Sequence, residues 1–502
     1  MSNKYVKFFN FVTLSDILNS GYILSPSRFK TFTIKNKNIL SISDFLDRKL
    51  QKKDLGVEVG STNYITKSNY YFIRTKALQS NSFILDKTKE SAIPIKPNVF
   101  FEMELKEGDL IISKDSNIGE IIILDQDYPN YMLSGGLYKL PVSNHKYYLL
   151  AFIKHDVFRE QLDYIVPKGA IIRHAKRLFL DCKIPMPNND TENTIKYIEI
   201  LTQAIINKEK LIKQRKEDIS AFIEMELLNN QKNNSFKYKF PTYKEIENYT
   251  RIDAGIYSEQ FKQIKFWIEN YNYGFSHLDP KRIKSGSTPT IRYIGNLKSL
   301  KYRWITPTHC SDYGILTEER INLMGNNNIN EDCILLINRG LGVDVGVAGF
   351  YNFKDFGKGH HNQGMYRVVN YEKDKLLFML CFLNCSLIRK YCESLSVGSK
   401  MKELKIEHFL LIPFPNFPEI KQKEISILYH NPHSLYQTDT FTLDNFLEQD
   451  NMFNKTAGIY ELDKTAKHLK EILNKAIDDI VNDRPVNISF NPLLSVESVE
   501  WS

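Results

Sequence analysis

Basic and amide side chains cluster in a few polar loops of this 502-residue sequence, where they can bind an anionic partner. Lysine and arginine pair with phosphate groups, and asparagine, glutamine and arginine form hydrogen bonds with the edges of bases. These residue types predict contacts with a nucleic acid, while a solvated surface without a ligand explains any single one of them equally well. The candidates are Lys114, Asn117, Arg173, His174, Lys176, Arg177, Ser287, Arg339, Lys358, His361, Asn362, Gln363, Lys400 and Lys402.

Motifs for catalysis are weak in this sequence. A P-loop requires Gly-x4-Gly-Lys-Ser/Thr, which Gly357-Lys358-Gly359 does not supply. An amino-methyltransferase needs an Asn/Asp-Pro-Pro-aromatic loop, and neither Asn431-Pro432 nor Asn491-Pro492 provides one. Glu104-Leu105-Lys106 would place two side chains on one sheet face for a metal nuclease, and His360-His361 would offer two metal ligands. Chance spacing and plain loop residues explain both better, so the sequence predicts neither catalysis nor a metal site.

The sequence repeats one pattern of strand, loop and helix. An acidic turn that leads into a short apolar strand occurs at Lys106 to Lys114 and again at Asn330 to Gly340. Each copy continues through a stretch rich in tyrosine and leucine, Tyr147 to Phe158 and Leu376 to Tyr391. The repetition predicts two similar domains.

Both copies then reach a basic segment with small residues and a closing strand that contains two prolines. The basic segments are Lys168 to Arg173 and Val397 to Lys402, and the closing strands are Lys183 to Pro187 and Leu411 to Pro415. The offset between equivalent landmarks is nearly constant along the chain. A duplicated domain predicts a protein that reads or measures something with two similar halves.

Between the two copies the sequence predicts one long helix. Residues 190–230 contain no proline or glycine, and their apolar side chains recur at intervals of three, four or seven. A helix of about 40 residues is on the order of 60 Å long and cannot bury its apolar stripe alone. It should therefore pair with a helix predicted at Glu419 to Leu428 or at Glu461 to Val481. A shorter single helix is predicted from Tyr147 to Leu162.

Composition favours a globular chain with two to four domains. Hydrophobic residues make up 42% and aromatic residues 12%, and the net charge of +8 is compatible with a polyanionic partner. No apolar run reaches 18 residues, which predicts no membrane span. The six cysteines lack zinc-site spacing and predict buried thiols in a reducing compartment, with Cys381 and Cys385 on one face of a helix.

Short motifs follow one another along the chain in the order domain, helix, domain, helix: Ser25 to Arg28, Gly108 to Ser113, Ile184 to Pro187, Ser285 to Pro289, Glu331 to Leu336, Asn362-Gln363, Ile412 to Pro415 and Glu419 to Ile425. The hydroxyl groups of Ser287 and Thr288 in one of these motifs can also cap a backbone turn instead of touching phosphate. The motifs and their order resemble the specificity subunit of Type I restriction–modification enzymes, which has two target-recognition domains separated by long helical regions.

The resemblance implies a mixed α/β (α+β) fold in which two similar target-recognition domains are joined by long antiparallel, coiled-coil-like helices. It also implies a non-catalytic, cytoplasmic protein without cofactor or metal. Such a protein binds double-stranded DNA and directs two adenine methyltransferase subunits and restriction subunits to a bipartite site. The alternatives are a DNA nuclease or modification enzyme with an unrecognised active site, and an adaptor whose duplicated domains bind protein. The implied regions are 1–188 for the first domain, 189–236 for the central helix and linker, 237–418 for the second domain and 419–502 for the C-terminal helical region.

Overall fold

The computed structural model describes residues 4–19, 22, 24, 29–88, 90–166, 175–288, 292–293, 302–317, 319–323, 328–341 and 345–491. The chain forms two compact units, each a mixed α/β structure as predicted. Unit 1 consists of Met1–Lys210, Leu435–Lys455 and Lys464–Ser502, and unit 2 of Leu211–Ser434 and Thr456–Asp463. The domain boundaries inferred from the sequence stay a prediction.

Unit 1 is built from short strands and helices around a large apolar core. Its helices before the linker are α1 (Leu14–Asn19), α2 (Lys146–Lys154) and α3 (Asp156–Ile165). Its strands are β1 (Val6–Phe8), β2 (Lys30–Phe32), β3 (Ile39–Ser41), β4 (Tyr71–Ile73), β5 (Ala92–Pro94), β6 (Leu110–Ser113), β7 (Ile121–Ile123), β8 (Tyr131–Leu133), β9 (Leu137–Leu140) and β10 (Lys183–Pro185).

Unit 2 follows the long helix α4 (Thr191–Asn229), which both units share. Its helices are α5 (Tyr243–Tyr249), α6 (Glu259–Glu269), α7 (Phe353–Phe356), α8 (Lys373–Asn384), α9 (Ser386–Leu395), α10 (Ile406–Leu410) and α11 (Glu419–Tyr429). Its strands are β11 (Phe275–Ser276), β12 (Ile283–Ser285), β13 (Arg292–Tyr293), β14 (Tyr302–Ile305), β15 (Glu319–Leu323), β16 (Cys333–Ile337), β17 (Arg339–Leu341), β18 (Ala348–Tyr351), β19 (Gly359–His361), β20 (Met365–Val368), β21 (Met401–Glu403) and β22 (Phe414–Pro415).

The two units share one scheme of strand pairing, which confirms the predicted duplication. In unit 1, β6 pairs antiparallel with β7 and β9; in unit 2, β16 pairs antiparallel with β18 and β20. A second sheet joins β4 antiparallel to β5 and parallel to β8, and its counterpart joins β14 antiparallel to β15 and parallel to β19. The closing strands also correspond, since β10 pairs with β3 and β22 pairs with β11.

The central strands β6 and β16 are buried along their whole length, as expected of a short continuous apolar run. A glycine follows each strand where the chain turns back, Gly119 with φ +79° and Gly346 with φ +86°. A Cβ atom on Gly119 would lie 2.4 Å from Cδ2 of Leu162 on α3, and one on Gly346 would lie 2.7 Å from Cβ of Cys392 on α9. Both the positive φ and the close helix therefore require glycine at these two equivalent positions.

The single helix predicted at Tyr147 to Leu162 is wrong, because His155 separates α2 from α3. Its backbone is extended (φ −80°, ψ 154°), and its Nδ1 accepts a hydrogen bond from the backbone N–H of Val157. Cys385 breaks unit 2 at the equivalent place, with φ −61° and ψ 139°, between α8 and α9. The expectation that Cys381 and Cys385 share one helix is therefore also wrong.

The long helix α4 confirms the prediction for residues 190–230. Two further helices end the chain, α12 (Phe446–Thr456) and α13 (Ile459–Val481). Within unit 1, Glu209 of α4 forms an ion pair with Lys470 of α13, and Tyr197, near the start of α4, contacts Phe490 beyond the far end of α13. Along these two contacts the residue numbers increase in α4 and decrease in the C-terminal segment. The two helices are therefore antiparallel, as predicted.

Burial of the cysteines agrees with the predicted thiols of the core, although Cys310 is only partly buried. Burial raises the pKa of the Cys385 thiol to about 12 and that of Cys392 to about 11. None of the helices in the described part of the chain is long and apolar enough to cross a membrane.

Candidate nucleic-acid interface

A tight turn joins two strands of different sheets at the same place in each unit. Turn 1 is Ser134-Gly135-Gly136, between β8 and β9, and turn 2 is Asn362-Gln363-Gly364, between β19 and β20. In each turn the first carbonyl accepts a hydrogen bond from the first N–H of the following strand, at 2.9 Å in turn 1 and 3.0 Å in turn 2. The two turns are therefore equivalent in backbone geometry.

In unit 1, turn 1 lies beside the end of the central strand and a basic segment. The N–H of Lys114, just past β6, donates to the carbonyl of Gly136 at 2.9 Å, and the carbonyl of Lys114 accepts from the N–H of Ala175 at 2.8 Å. Lys176 and Arg177 follow Ala175 directly, and both are exposed. Three segments that are far apart in the sequence thus meet at one surface.

Unit 2 repeats this arrangement around turn 2. The N–H of Asn338, just past β16, donates to the carbonyl of Gly364 at 3.0 Å, and the carbonyl of Asn338 accepts from the N–H of Leu404 at 2.7 Å. Asn338 is therefore the equivalent of Lys114, and Leu404 that of Ala175. Lys405, which follows Leu404, is exposed and corresponds to Lys176.

A fourth segment completes both turns, beginning at Gly56 in unit 1 and at Gly286 in unit 2. A Cβ atom on Gly56 would lie 2.1 Å from the carbonyl oxygen of Ser134, and one on Gly286 would lie 2.0 Å from that of Asn362. Glycine is required at both positions because the backbone packs directly on the turn. The hydrogen bonds that hold this segment are Gly56 N–H to Leu137, Val57 N–H to Leu133, Gly286 N–H to Met365 and Ser287 N–H to His361.

The structure brings together four of the residues predicted in unit 1. Lys176 and Arg177 are exposed next to turn 1, and Asn117 is exposed on the loop that leaves β6. Lys114 lies at the same place, but its Nζ forms an ion pair with Asp115 at 2.6 Å, so its charge is already compensated. Arg173 and His174 lie outside the described residues.

Unit 2 brings the predicted Ser287, Asn362 and Gln363 together at turn 2. The amide nitrogen of Asn362 donates to Oγ1 of Thr288 at 3.2 Å, and its amide oxygen accepts from the N–H of Gly364 at 2.7 Å. The hydroxyl of Ser287 contacts Nε2 of His360 at 3.1 Å. Gln363 is exposed, and its side chain forms no hydrogen bond with the described residues.

The predicted basic residues of unit 2 fall into two places. Arg339 and Lys402 lie on the paired strands β17 and β21 beside turn 2, where they form ion pairs with Glu403 at 2.6 Å and with Glu393 at 3.3 Å. Lys400, just before β21, is exposed and forms no ion pair with a described residue. Lys358 is exposed at the start of β19, the end of the strand that lies away from turn 2.

His361 is fully buried behind turn 2 and is not presented to a ligand. Its Nδ1 lies 2.8 Å from Oδ1 of Asn328. Burial, reinforced by the positive charge of Arg367, lowers the pKa of His361 to about 3. The ring is neutral at pH 7 and belongs to the support of the turn.

The side chains of the weak catalytic motifs are not arranged as a catalytic or metal site in the described residues. Glu104 and Lys106 lie outside the strands of the structure, and Glu104 has φ +47°, so the expected placement on one sheet face is wrong. His360 stacks on Trp304 with ring centroids 5.3 Å apart. Among the described residues, no group of three or more His, Cys, Asp or Glu side chains is placed to hold a metal ion.

Two residues of this surface escaped the sequence reasoning, Glu58 at turn 1 and Lys405 at turn 2. Glu58 follows Val57, and its carboxylate lies over Gly135. Ser134 and Asn362 keep the nearly constant offset of the other landmarks. An alignment of the two copies at these residues would therefore have identified turn 1, over which Glu58 lies. Lys405 was missed because it follows the basic segment Val397 to Lys402, where the sequence pattern ends.

No protein-family model matches the chain, and no curated protein matches it in sequence. Among solved structures, it is similar to the Type-I restriction-modification system S subunit from M. genitalium, with 12% identity, a TM-score of 0.39, and coverage of 89% of this chain and 99% of that chain. It is also similar to the HsdS subunit from Thermoanaerobacter tengcongensis, with 12% identity, a TM-score of 0.27, and coverage of 89% and 96%.

A further similar chain comes from a structural study of complex assembly and conformational transition of the type I R-M system. It has 13% identity and a TM-score of 0.28, with coverage of 90% of this chain and 100% of that chain. The S subunit and the HsdS subunit are members of the family that the sequence motifs resemble.

Proposed function

We propose that this chain is the DNA-recognition subunit of a Type I restriction–modification complex. It directs an adenine methyltransferase and restriction subunits to a bipartite DNA site and does not itself catalyse a reaction. One observation carries the proposal. In two units of a single chain, an equivalent turn is held by equivalent hydrogen bonds beside a basic segment with exposed lysines.

The exposed side chains at the turns suit the two tasks of a DNA reader. Lys176, Arg177 and Lys400 are exposed and form no ion pair with the described residues, so they are available to phosphate groups. The amide groups of Asn117 and Gln363 are exposed and suit hydrogen bonds with base edges. Charge fixes the position on the duplex, and the amides select the sequence.

A bipartite site follows from the duplication. The two recognition domains of the proposal, 1–188 and 237–418, are connected through residues 189–236, most of which form α4. The region 419–502 supplies α13, which packs antiparallel on α4 in unit 1. Two readers connected by a helix engage one duplex at one preferred separation, so two half-sites flank a spacer of fixed length.

The proposed partners follow from the absence of a catalytic motif in the sequence together with its resemblance to specificity subunits. Methyl transfer and cleavage then reside on other chains, and we propose two methyltransferase subunits for the two recognition domains. We propose restriction subunits as further partners of the complex.

Purification of the tagged chain from its native host, followed by mass spectrometry, tests the proposal. We expect an N6-adenine methyltransferase to copurify, and the complex to methylate duplex DNA when S-adenosylmethionine is supplied. The chain separated from its partners should neither methylate nor cleave DNA. Turnover by the separated chain would instead establish the alternative, a nuclease or modification enzyme with its own active site.

A further inference from the structure

Turn 1 and turn 2 have equivalent backbone hydrogen bonds but differ in their outermost residue. Turn 2 presents Gln363, whereas the equivalent position of turn 1 is Gly135, which has no side chain. In unit 2 the backbone carbonyl of Gln363 accepts a hydrogen bond from the side chain of Asn338 at 3.2 Å, so a residue next to the central strand fixes its position.

Another side chain occupies the space above Gly135. A Cβ atom built on Gly135 would lie 2.7 Å from Oε1 and 2.9 Å from Cγ of Glu58. The carboxylate of Glu58 therefore lies where unit 2 has the beginning of the Gln363 side chain. The residue equivalent to Glu58 in unit 2 is Thr288, which contacts the amide of Asn362 instead.

Glu58 and Gln363 are both available to a ligand. Each is exposed, and neither side chain forms a hydrogen bond or an ion pair with the residues that the structure describes. The neighbouring polar groups are committed, since Asn362 bonds to Thr288 and Gly364, and Lys114 pairs with Asp115. Each turn thus carries an unengaged polar side chain at its outermost position.

The side chains of Glu58 and Gln363 differ in the hydrogen-bond donors and acceptors that they offer. A glutamine amide offers one donor and one acceptor side by side, which matches N7 and the N6 amino group of adenine in the major groove. A carboxylate offers acceptors only, which match the N4 amino group of cytosine. The side chain at this position of the turn therefore suits adenine in unit 2 and cytosine in unit 1.

We propose that Glu58 and Gln363 are specificity-determining residues at equivalent positions, Glu58 reading a cytosine and Gln363 reading an adenine. This inference rests on the proposed function and deepens it. The glycine at position 135 makes room for the carboxylate of the neighbouring segment, and the glutamine at position 363 supplies the contact from the turn itself.

Selection of duplexes from a random DNA library tests this inference, with the full chain purified from its native host together with the proteins that copurify. The variants are Glu58→Gln and Gln363→Glu, which keep the size of each side chain, and Glu58→Ala and Gln363→Ala, which remove the polar group. Glu102→Gln and Gln260→Ala are matched controls, because both residues are exposed on the same units. Thermal unfolding verifies that each variant remains folded.

We expect Glu58→Gln to change the preference at one position of one half-site from cytosine towards adenine. Gln363→Glu should produce the opposite change at one position of the other half-site. Each alanine variant should relax the same position by roughly 5-fold or more, since a good base contact discriminates by about 1–3 kcal/mol. The control variants should enrich the wild-type motif.

The outcomes separate the inference from the proposed function. If the wild-type protein enriches a motif and all four variants keep every position of it, Glu58 and Gln363 do not read bases and the inference is overturned. If the wild-type protein enriches no motif at all, the proposed function itself fails. If the variants change positions other than cytosine and adenine, the assignment of bases is wrong.

Discussion

Lys208 on α4 and Asp450 on α12 form an ion pair at 2.7 Å in the interior of unit 1, and both side chains are fully buried. Tyr436 donates a hydrogen bond to Asp450 at 2.7 Å, and Asn454 bonds to both partners. The Nζ atom also lies 4.8 Å from the centroid of the Tyr436 ring and 4.9 Å from that of Phe453. Burial lowers the pKa of Lys208, while the carboxylate of Asp450 opposes that change.

Removal of one partner should destabilise unit 1 strongly. Asp450→Leu leaves the Lys208 charge buried without its counter-ion, and we expect the free energy of unfolding to fall by roughly 3–5 kcal/mol. The double variant Lys208→Met/Asp450→Leu should recover much of this stability, because neither charge remains. Urea unfolding followed by circular dichroism measures both effects.

The control for this pair is Lys196 and Asp444, which lie 2.6 Å apart on the surface of the same unit. Asp444→Leu should leave the free energy of unfolding nearly unchanged, since solvent screens an exposed pair. If the double variant were as unstable as Asp450→Leu alone, the hydrogen bonds of Tyr436 and Asn454, rather than the ion pair, would explain the destabilisation.

The buried His361 predicts that acid destabilises unit 2. Its pKa is lowered to about 3 in the folded chain, whereas an unfolded histidine titrates near about 6.5. Below about pH 6.5 the unfolded chain binds a proton that the folded chain does not. Stability should therefore fall by up to about 1.4 kcal/mol for each pH unit of acidification, until the pH reaches the folded pKa.

Urea unfolding between pH 7.5 and pH 5.5 measures this slope, because few carboxylates titrate in that range. His361→Gln should make the slope shallower, and His433→Gln, at an exposed histidine, should leave it unchanged. An equal slope in wild type and His361→Gln would show that other groups cause the acid sensitivity.

Elements whose sequence signals are local were predictable. The helix α4 was predictable because residues 190–230 lack proline and glycine and keep a helical spacing of apolar side chains. The breaks at His155 and Cys385 were not, since neither residue is a helix breaker and the change of direction depends on packing. The helix α12 was also missed, although its buried Asp450 is essential to its contact with Lys208.

The candidate site was predictable in part for the same reason. Residue types pointed to Asn362 and Gln363, but burial of His361 follows from the parallel pairing of β14 with β19, which joins residues that are far apart in the chain. The position of Glu58 over Gly135 is likewise a tertiary contact. Patterns of residues identify the chemistry available, and only the fold decides which groups reach the surface.

The exposed basic pair at turn 1 predicts a salt-dependent effect on DNA affinity. The double variant Lys176→Ala/Arg177→Ala removes two candidate partners of phosphate groups. The slope of log affinity against log salt should therefore become shallower by about 0.9 for each phosphate group that is no longer neutralised. Fluorescence anisotropy with a labelled duplex at several salt concentrations measures this slope.

The matched control for this pair is Lys35→Ala/Lys37→Ala, which removes the same charge from exposed lysines of unit 1. These lysines flank Asn36, whose side chain bonds to the carbonyls of Met186 and Ile480 rather than to the turn. Equal changes of slope in the two double variants would mean that net charge, and not the turn, determines the effect.

The length of the helical connection tests whether two units of one chain read one bipartite site. Four alanines inserted after Lys210 and four after Asp463 lengthen α4 and α13 together at the two helical positions where the chain passes between the units. Each insertion adds about 6 Å of helix. Four residues inserted after Leu435, in the loop between α11 and α12, serve as the control.

Sequencing of N6-methyladenine in the genome of a host that carries each variant gives both half-sites and the spacer. We expect the helical insertions to lengthen the spacer by one or two base pairs, at about 3.4 Å for each pair, and to leave both half-sites unchanged. The loop insertion should leave the spacer as it is in wild type. A spacer that does not respond to helix length, or half-sites that change with it, would show that the helical connection does not set the separation of the two half-sites.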